Sequence, residues 1–193
     1  YLGDYVDRGP DSREILDTLI DDPPDGFEVH HLKGNHEDML LRFLKTGDNG
    51  QMWLMNGGRD TLDSYGIDLS TFSLFRDDMD GLFQALNDAM PDNHRAFLNG
   101  LSLHHQEGDY LFVHAGIRPG VALEDQNPHD LTWIRNDFID SEADFGAVVV
   151  HGHTIRRLPD IQDNRIGIDT GAYSSNRLTA LVLETDTRRF LQT

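Results

Sequence analysis

From Ser12 to Ile20 the apolar residues Ile15, Leu16, Leu19 and Ile20 recur at helical spacing, with Ser12 placed as an N-cap and Asp21-Asp22-Pro23-Pro24 behind to stop the run. This predicts an amphipathic surface helix. Phe27 to Leu32 alternates apolar residues with polar ones or histidine, which reads as a strand delivering Gly34-Asn35-His36-Glu37 at its C-terminal end. Asp38 to Lys45 returns to helical spacing, carrying Met39, Leu40, Phe43 and Leu44 on one face, and Gly47-Asp48-Asn49-Gly50 ends it. Residues 51–100 then read as a mainly helical insert: Gln51 to Asn56, Arg59 to Tyr65, Arg76 to Ala89 and Asp92 to Asn99, punctuated by Gly57-Gly58, Gly66 and Pro91. Its apolar residues, among them Trp53, Leu54, Leu74, Phe75, Met79, Leu82, Phe83 and Leu86, predict a cap on the core that borders a substrate groove.

After Gly100 the pattern changes to short β segments at Leu101 to His105, Tyr110 to His114, Ala147 to His151, Arg165 to Ile168, Leu178 to Glu184 and Arg189 to Gln192. Helices are expected there only around Asp130 to Asp137 and Ser141 to Phe145. At the other end of the chain, Tyr1 and Leu2 read as the last residues of a buried strand. Gly3, Gly9 and Pro10 let the chain turn sharply into a loop containing Asp4, Asp7 and Arg8. Together these patterns predict an α/β protein.

Composition narrows the chemistry. At 193 residues, one domain with one sizeable core is expected over 1–193. The absence of cysteine leaves Asp, Asn and His as the candidate metal ligands. The longest apolar runs, Ala147 to Val150 and Leu178 to Leu183, are strand-sized, so a soluble, cytoplasmic protein with no membrane partner is expected. A net charge of −18 argues against nucleic acid as a partner, because phosphate backbones are bound by clustered Lys and Arg. Lys33 and Lys45 are the only lysines, and the excess acid is mostly Asp, a balance that suits a salty environment.

Four apolar segments each end in a polar cluster: Leu2-Gly3-Asp4, Leu32-Lys33-Gly34-Asn35-His36, Phe112-Val113-His114-Ala115-Gly116 and Val150-His151-Gly152-His153-Thr154. One such end means little. Four, each with His, Asn or Asp beside a glycine, argue for ligands converging where strands give way to loops. The motifs Gly3-Asp4-Tyr5-Val6-Asp7-Arg8-Gly9, Gly34-Asn35-His36-Glu37, His114-Ala115-Gly116 and Gly152-His153-Thr154 stand in an order that resembles the calcineurin-like metallophosphoesterases, most closely the bacterial phosphoprotein phosphatases. Trp133-Ile134-Arg135 and Ile168-Asp169-Thr170-Gly171-Ala172 agree more weakly.

The resemblance implies a four-layer αββα sandwich of two mixed sheets with a helical cap insert at about 51–100. It also implies two divalent metal ions, manganese first and iron or zinc as alternatives. Asp4 would bridge them, with Asn35, His114 and His153 completing the second metal's shell. A water shared by two such ions attacks phosphorus in line. Arg8 and Arg135 would hold the phosphoryl oxygens, as guanidinium forks do well, with Asn35 and Tyr173 also on the substrate side. His36 would be the general acid and Asp7 the group that orients it. Glu37 is assigned only to the start of the following helix, and His151 to a supporting place beside the site.

The family's first metal takes an Asp-x-His motif from a strand preceding Gly3, and no strand with that motif stands in this sequence. An N-terminally incomplete sequence is the expected reason. Asp92-Asn93-His94 has the right spacing but lies in the helical insert, and is rejected as a substitute. The expected activity is removal of phosphate from phosphoserine or phosphothreonine proteins, with phosphotyrosine as a further substrate. The alternatives are a symmetrical dinucleoside tetraphosphate hydrolase, disfavoured by Asp7, and an inactive binding module without the first metal.

Overall fold

The computed structural model describes residues 1–72 and 76–193, with the side chains of 76–78 also left undescribed; Leu74 and Phe75 of the expected cap therefore lie outside the described residues. The chain groups into two compact units, Tyr1 with Gly3–Leu101, and Leu2 with Ser102–Thr193.

The first unit is helical. It runs α1 (Ser12–Asp21), α2 (Asn35–Thr46), α3 (Gly50–Trp53), a π-helical segment (Leu54–Gly58), α4 (Arg59–Ser64), α5 (Arg76–Ala89) and α6 (Asp92–Asn99). Leu16, Leu40, Phe43, Trp53, Leu62, Leu82, Leu86 and Leu98 are fully buried, so the apolar stripes seen in the sequence are core-facing. The strand expected at Phe27–Leu32 does not form. Its backbone bonds to Tyr1, from the Leu32 amide to the Tyr1 carbonyl at 3.0 Å and from the Tyr1 amino group to the His30 carbonyl at 2.8 Å, span too few residues to propagate a ladder. The helix after it starts at Asn35 rather than Asp38, because Gly34 takes the N-cap position and the Glu37 side chain accepts from its amide at 2.8 Å. Ser12 does not cap α1 with its side chain. Its hydroxyl accepts from the Asp7 amide instead, at 3.1 Å.

His94, which is fully buried, pins three helical segments together. One ring nitrogen meets the Tyr65 hydroxyl at 2.6 Å and the other the Asp17 carboxylate at 2.8 Å. Both nitrogens are thus committed to structure, in keeping with the rejection of Asp92-Asn93-His94 as a ligand motif.

The second unit carries a mixed sheet and a hairpin. Strands β1 (His104–Glu107), β2 (Tyr110–Val113), β3 (Val148–His151), β4 (Asp160–Ile161) and β5 (Arg165–Gly167) take the order β1-β2-β3-β5-β4. The central pairs β2–β3 and β3–β5 are parallel, and the edges β1 and β4 are antiparallel to their neighbours. β6 (Thr179–Glu184) and β7 (Thr187–Gln192) form the second, small sheet. The central strands are near-continuous apolar runs, as parallel strands buried on both faces should be. Leu111, Val113 and Val149 pack with Leu131, Ile134, Phe138 and Ile139.

The helix expected across Asp130–Asp137 is two pieces, α7 (Pro128–Trp133) and α8 (Asn136–Ile139), broken at Ile134 and Arg135. No helix forms at Ser141–Phe145. Side chains compete for its backbone there: Ser141 and Asp144 accept from the amides of Ala143 and Gly146, and Asn164 donates to the Ser141 and Ala143 carbonyls. A short helix, α9 (Ala172–Ser175), follows Gly171, and the sequence pattern had not indicated it or β4. No helix among the described residues is long and apolar enough to cross a membrane.

Candidate active site

In the first unit the loop from Gly3 to Gly9 is held in an unusual backbone shape. Asp4, Asp7 and Arg8 all have left-handed φ values, of 59°, 74° and 64°. Each such residue costs on the order of 1 kcal/mol or more and persists only where its surroundings impose it. Glu37 does much of the imposing. Its carboxylate is fully buried and accepts from the amides of Gly34 (2.8 Å), Asp4 (2.9 Å), Tyr5 (2.7 Å) and Val6 (3.3 Å). It is therefore a clamp on the loop as well as a helix cap, a role that sequence reasoning missed. The signal was present as the Gly34-x-x-Glu37 spacing of a capping box. Gly34 is required for a different reason: a Cβ there would lie 2.2 Å from Asp4 Oδ1.

The expected partnership of Asp7 and His36 is present. His36 Nδ1 lies 2.7 Å from Asp7 Oδ2, both side chains buried. Burial of the ring pulls its pKa down, but the hydrogen bond to Asp7 and the negative charges of Asp4 and Asp7 more than offset this and hold it above the ordinary histidine value. Nδ1–H donating to Asp7 makes Nε2 the nitrogen that can deliver or take a proton.

Asp7 has further partners that were read from the sequence only as cap residues. Trp53 Nε1 donates at 3.0 Å to Oδ1, and the Thr61 hydroxyl donates at 2.6 Å to the same oxygen. Arg8 is anchored from the same segment. Its amide donates to the Gly57 carbonyl (3.2 Å) and its Nε to the Asn56 carbonyl (3.2 Å). Gly57 sits at φ 111°, where a Cβ would come 2.5 Å from Arg8 Cγ. Asn35 is buried as the first residue of α2.

In the second unit, His114 follows β2 and His153 follows β3, their ring centroids 5.1 Å apart. His153 also has a left-handed backbone, φ 60°. His114 Nδ1 lies 2.6 Å from the Leu2 carbonyl, so Nδ1 carries the proton and Nε2 the lone pair, the form an imidazole ligand needs. Arg135 occupies the break between α7 and α8, exposed, with Nη1 donating to the His153 carbonyl at 3.2 Å. Beside it is a shallow cavity of about 340 Å³ bordered by Arg118, His129, Trp133 and Asn136. Arg118 grips Asp130 of α7 with two bonds, at 2.6 and 2.9 Å, which steadies this edge. Tyr173 is exposed on α9, while Asp169 accepts from the Gly171 amide at 2.8 Å, which shapes the loop. His151 is buried with its ring edge-on to Phe138, and burial lowers its pKa to about 4.

The chain belongs to the calcineurin-like phosphoesterase family, whose pattern matches residues 1–169. It is a metallophosphoesterase, and the family implies divalent metal ions. The chain is 29% identical over 192 residues to the bis(5'-nucleosyl)-tetraphosphatase PrpE (asymmetrical) of Anoxybacillus flavithermus, covering 94% of this chain and 73% of that protein. A shorter stretch of 57 residues is 46% identical to serine/threonine-protein phosphatase 2 of Escherichia coli, covering 30% of this chain and 23% of that one. A solved structure of a candidate diadenosine tetraphosphatase matches with a TM-score of 0.64 at 20% identity, covering 98% of this chain and 78% of that one, a likeness in fold.

Proposed function

We propose that the protein is a metal-dependent phosphomonoesterase acting on phosphoserine and phosphothreonine in proteins or peptides. The observation that carries this reading is the buried pair of His36 and Asp7 at 2.7 Å. An alkoxide is a poor leaving group and must be protonated as it departs, whereas a nucleotide phosphate leaves as a stable anion and gains little from an acid. A histidine with a raised pKa, its Nδ1–H held by a carboxylate, supplies that proton from Nε2.

Divalent ions are proposed as the cofactor, and the residue types present suit one of the two expected. Asp4 offers a carboxylate, Asn35 a carboxamide oxygen, and His114 and His153 two imidazoles, one with its tautomer fixed by a carbonyl. Manganese is the proposed metal, with iron or zinc as alternatives. When bound, such ions polarise water and offset phosphoryl charge. Arg8 and Arg135 are proposed to orient the phosphoryl oxygens; Arg8 Nε is anchored on the Asn56 carbonyl and Arg135 Nη1 on the His153 carbonyl. Tyr173 is proposed to border the substrate.

A dinucleoside tetraphosphatase is the second reading, favoured by the resemblance to PrpE across 94% of the chain. The test compares release of phosphate from a phosphoserine peptide with cleavage of diadenosine tetraphosphate, for wild type and His36→Asn. A large loss on the peptide, with metal content retained, is expected. Efficient dinucleotide cleavage that is insensitive to the substitution, with no action on the peptide, would establish the second reading.

A further inference from the structure

The insert contributes more than a cover. Trp53 and Thr61 are fully buried and both reach Asp7. The Trp53 indole N–H lies 3.0 Å from Oδ1 and 3.1 Å from Oδ2. Thr61 closes a small ring: its hydroxyl donates to Asp7 Oδ1 at 2.6 Å and accepts from the Asp7 amide at 2.9 Å. Ser12 Oγ, 3.2 Å from Thr61 Oγ1, accepts from that same amide. The Thr61 hydroxyl has one proton and spends it on Asp7, so the Ser12 hydroxyl must be the donor between the two. Asp7 Oδ1 is therefore engaged by the insert, while Oδ2 faces His36.

From this geometry we infer that Trp53 and Thr61 are positioning residues for the acid. They fix the orientation of the Asp7 carboxylate, and through it hold the His36 ring with Nδ1–H on the carboxylate and Nε2, the nitrogen that carries the transferable proton when the ring is protonated, turned away from it. The inference deepens the proposed function and rests on it for the proton-transfer role of His36. Neither residue touches substrate. With its carboxylate unclamped, Asp7 can rotate, and the His36 ring is no longer held in one orientation or, when neutral, in one tautomer. The π-helical segment lies between the two residues. Within it the chain kinks at Gly57, whose φ of 111° is not helical.

The test uses the full chain loaded with magnesium, a diamagnetic ion, and two variants, Trp53→Phe and Thr61→Val. The second is nearly isosteric and keeps the Ser12 partner of the Asp7 amide, so it remains informative if the first folds poorly. The first measurement is the tautomer of the neutral His36 ring, from its nitrogen shifts at a pH high enough to remove the second ring proton: a single Nδ1–H form in wild type and a mixture in the variants is expected. The second, on manganese-loaded protein, is kcat on a phosphoserine peptide and on an aryl phosphate, whose leaving group needs little protonation. The peptide rate should fall about tenfold or more, as for loss of a hydrogen bond to a charged group, and the aryl rate far less. An unchanged tautomer in both variants, or equal losses on the two substrates, would overturn the inference. If the wild type leaves the peptide intact, the proposed function falls, and the tautomer measurement alone still decides the positioning role.

Discussion

Replacing Glu37 by Gln tests how the site loop is held. The carboxylate accepts from four amides, those of Gly34 and Asp4 on Oε2 and those of Tyr5 and Val6 on Oε1. Glutamine keeps one accepting oxygen and turns an NH₂ group toward the other two amides. Two bonds are lost and the remaining two become neutral. With hydrogen bonds to a charged group worth about 1.5–3 kcal/mol each, the expected destabilisation is about 3–5 kcal/mol. For a chain of this size that lowers the melting temperature by about 6–20 °C. If Glu37 served only as a helix cap, the loss would be about 1 kcal/mol. Urea unfolding gives the free energy, and calorimetric titration with manganese gives affinity, which should fall because Asp4 loses its backbone anchor. A variant with an unchanged urea midpoint and full affinity would refute the clamp.

Three further outcomes are expected. Gly34→Ala should weaken manganese binding by about tenfold or more, because its Cβ would meet Asp4 Oδ1 at 2.2 Å while the Gly34 backbone (φ −91°) suits any residue; titration showing wild-type affinity would contradict this. His151 has a folded-state pKa of about 4, below its unfolded value, so its contribution is complete above about pH 6.5 and is lost as pH falls toward 4, on the order of 3 kcal/mol in all. In chelator-treated protein, His151→Gln should flatten the pH dependence of unfolding over that window, and parallel curves would refute the assignment. Finally, with a net charge of −18 and only two lysines, the protein should melt at a higher temperature as potassium chloride is raised from about 0.1 to 2 M; a constant midpoint would sink the salt-adaptation reading.

The contact between Asp7 and His36 was legible in the sequence. Asp7 and His36 were paired from the motif alone, and the structure places them 2.7 Å apart. The apolar stripes of α1, α5 and α6 were likewise readable, because an amphipathic helix writes its period into consecutive residues. What escaped was everything set by distant partners. Phe27–Leu32 has strand-like alternation, but its backbone bonds to Tyr1 come only from His30 and Leu32 at its end, and alternation cannot extend them into a ladder. Trp53 and Thr61 looked like ordinary helix residues because their partner, Asp7, is 46 and 54 positions away. The left-handed backbones of Asp4, Asp7, Arg8 and His153 leave no trace in residue type beyond the tolerance of Asp for that conformation.

The segment from Trp53 to Thr61 also sets where this chain can be re-engineered. Because the Asn56 and Gly57 carbonyls hold Arg8, and the side chains on either side hold Asp7, the start of the insert is tied to the loop that carries Asp7 and Arg8. A chimera built to transplant substrate preference between relatives would have to place its upstream junction after Gly66. One made at Gly50, the boundary that helical periodicity suggests, would exchange the contacts to Asp7 and Arg8 along with the rest of the insert.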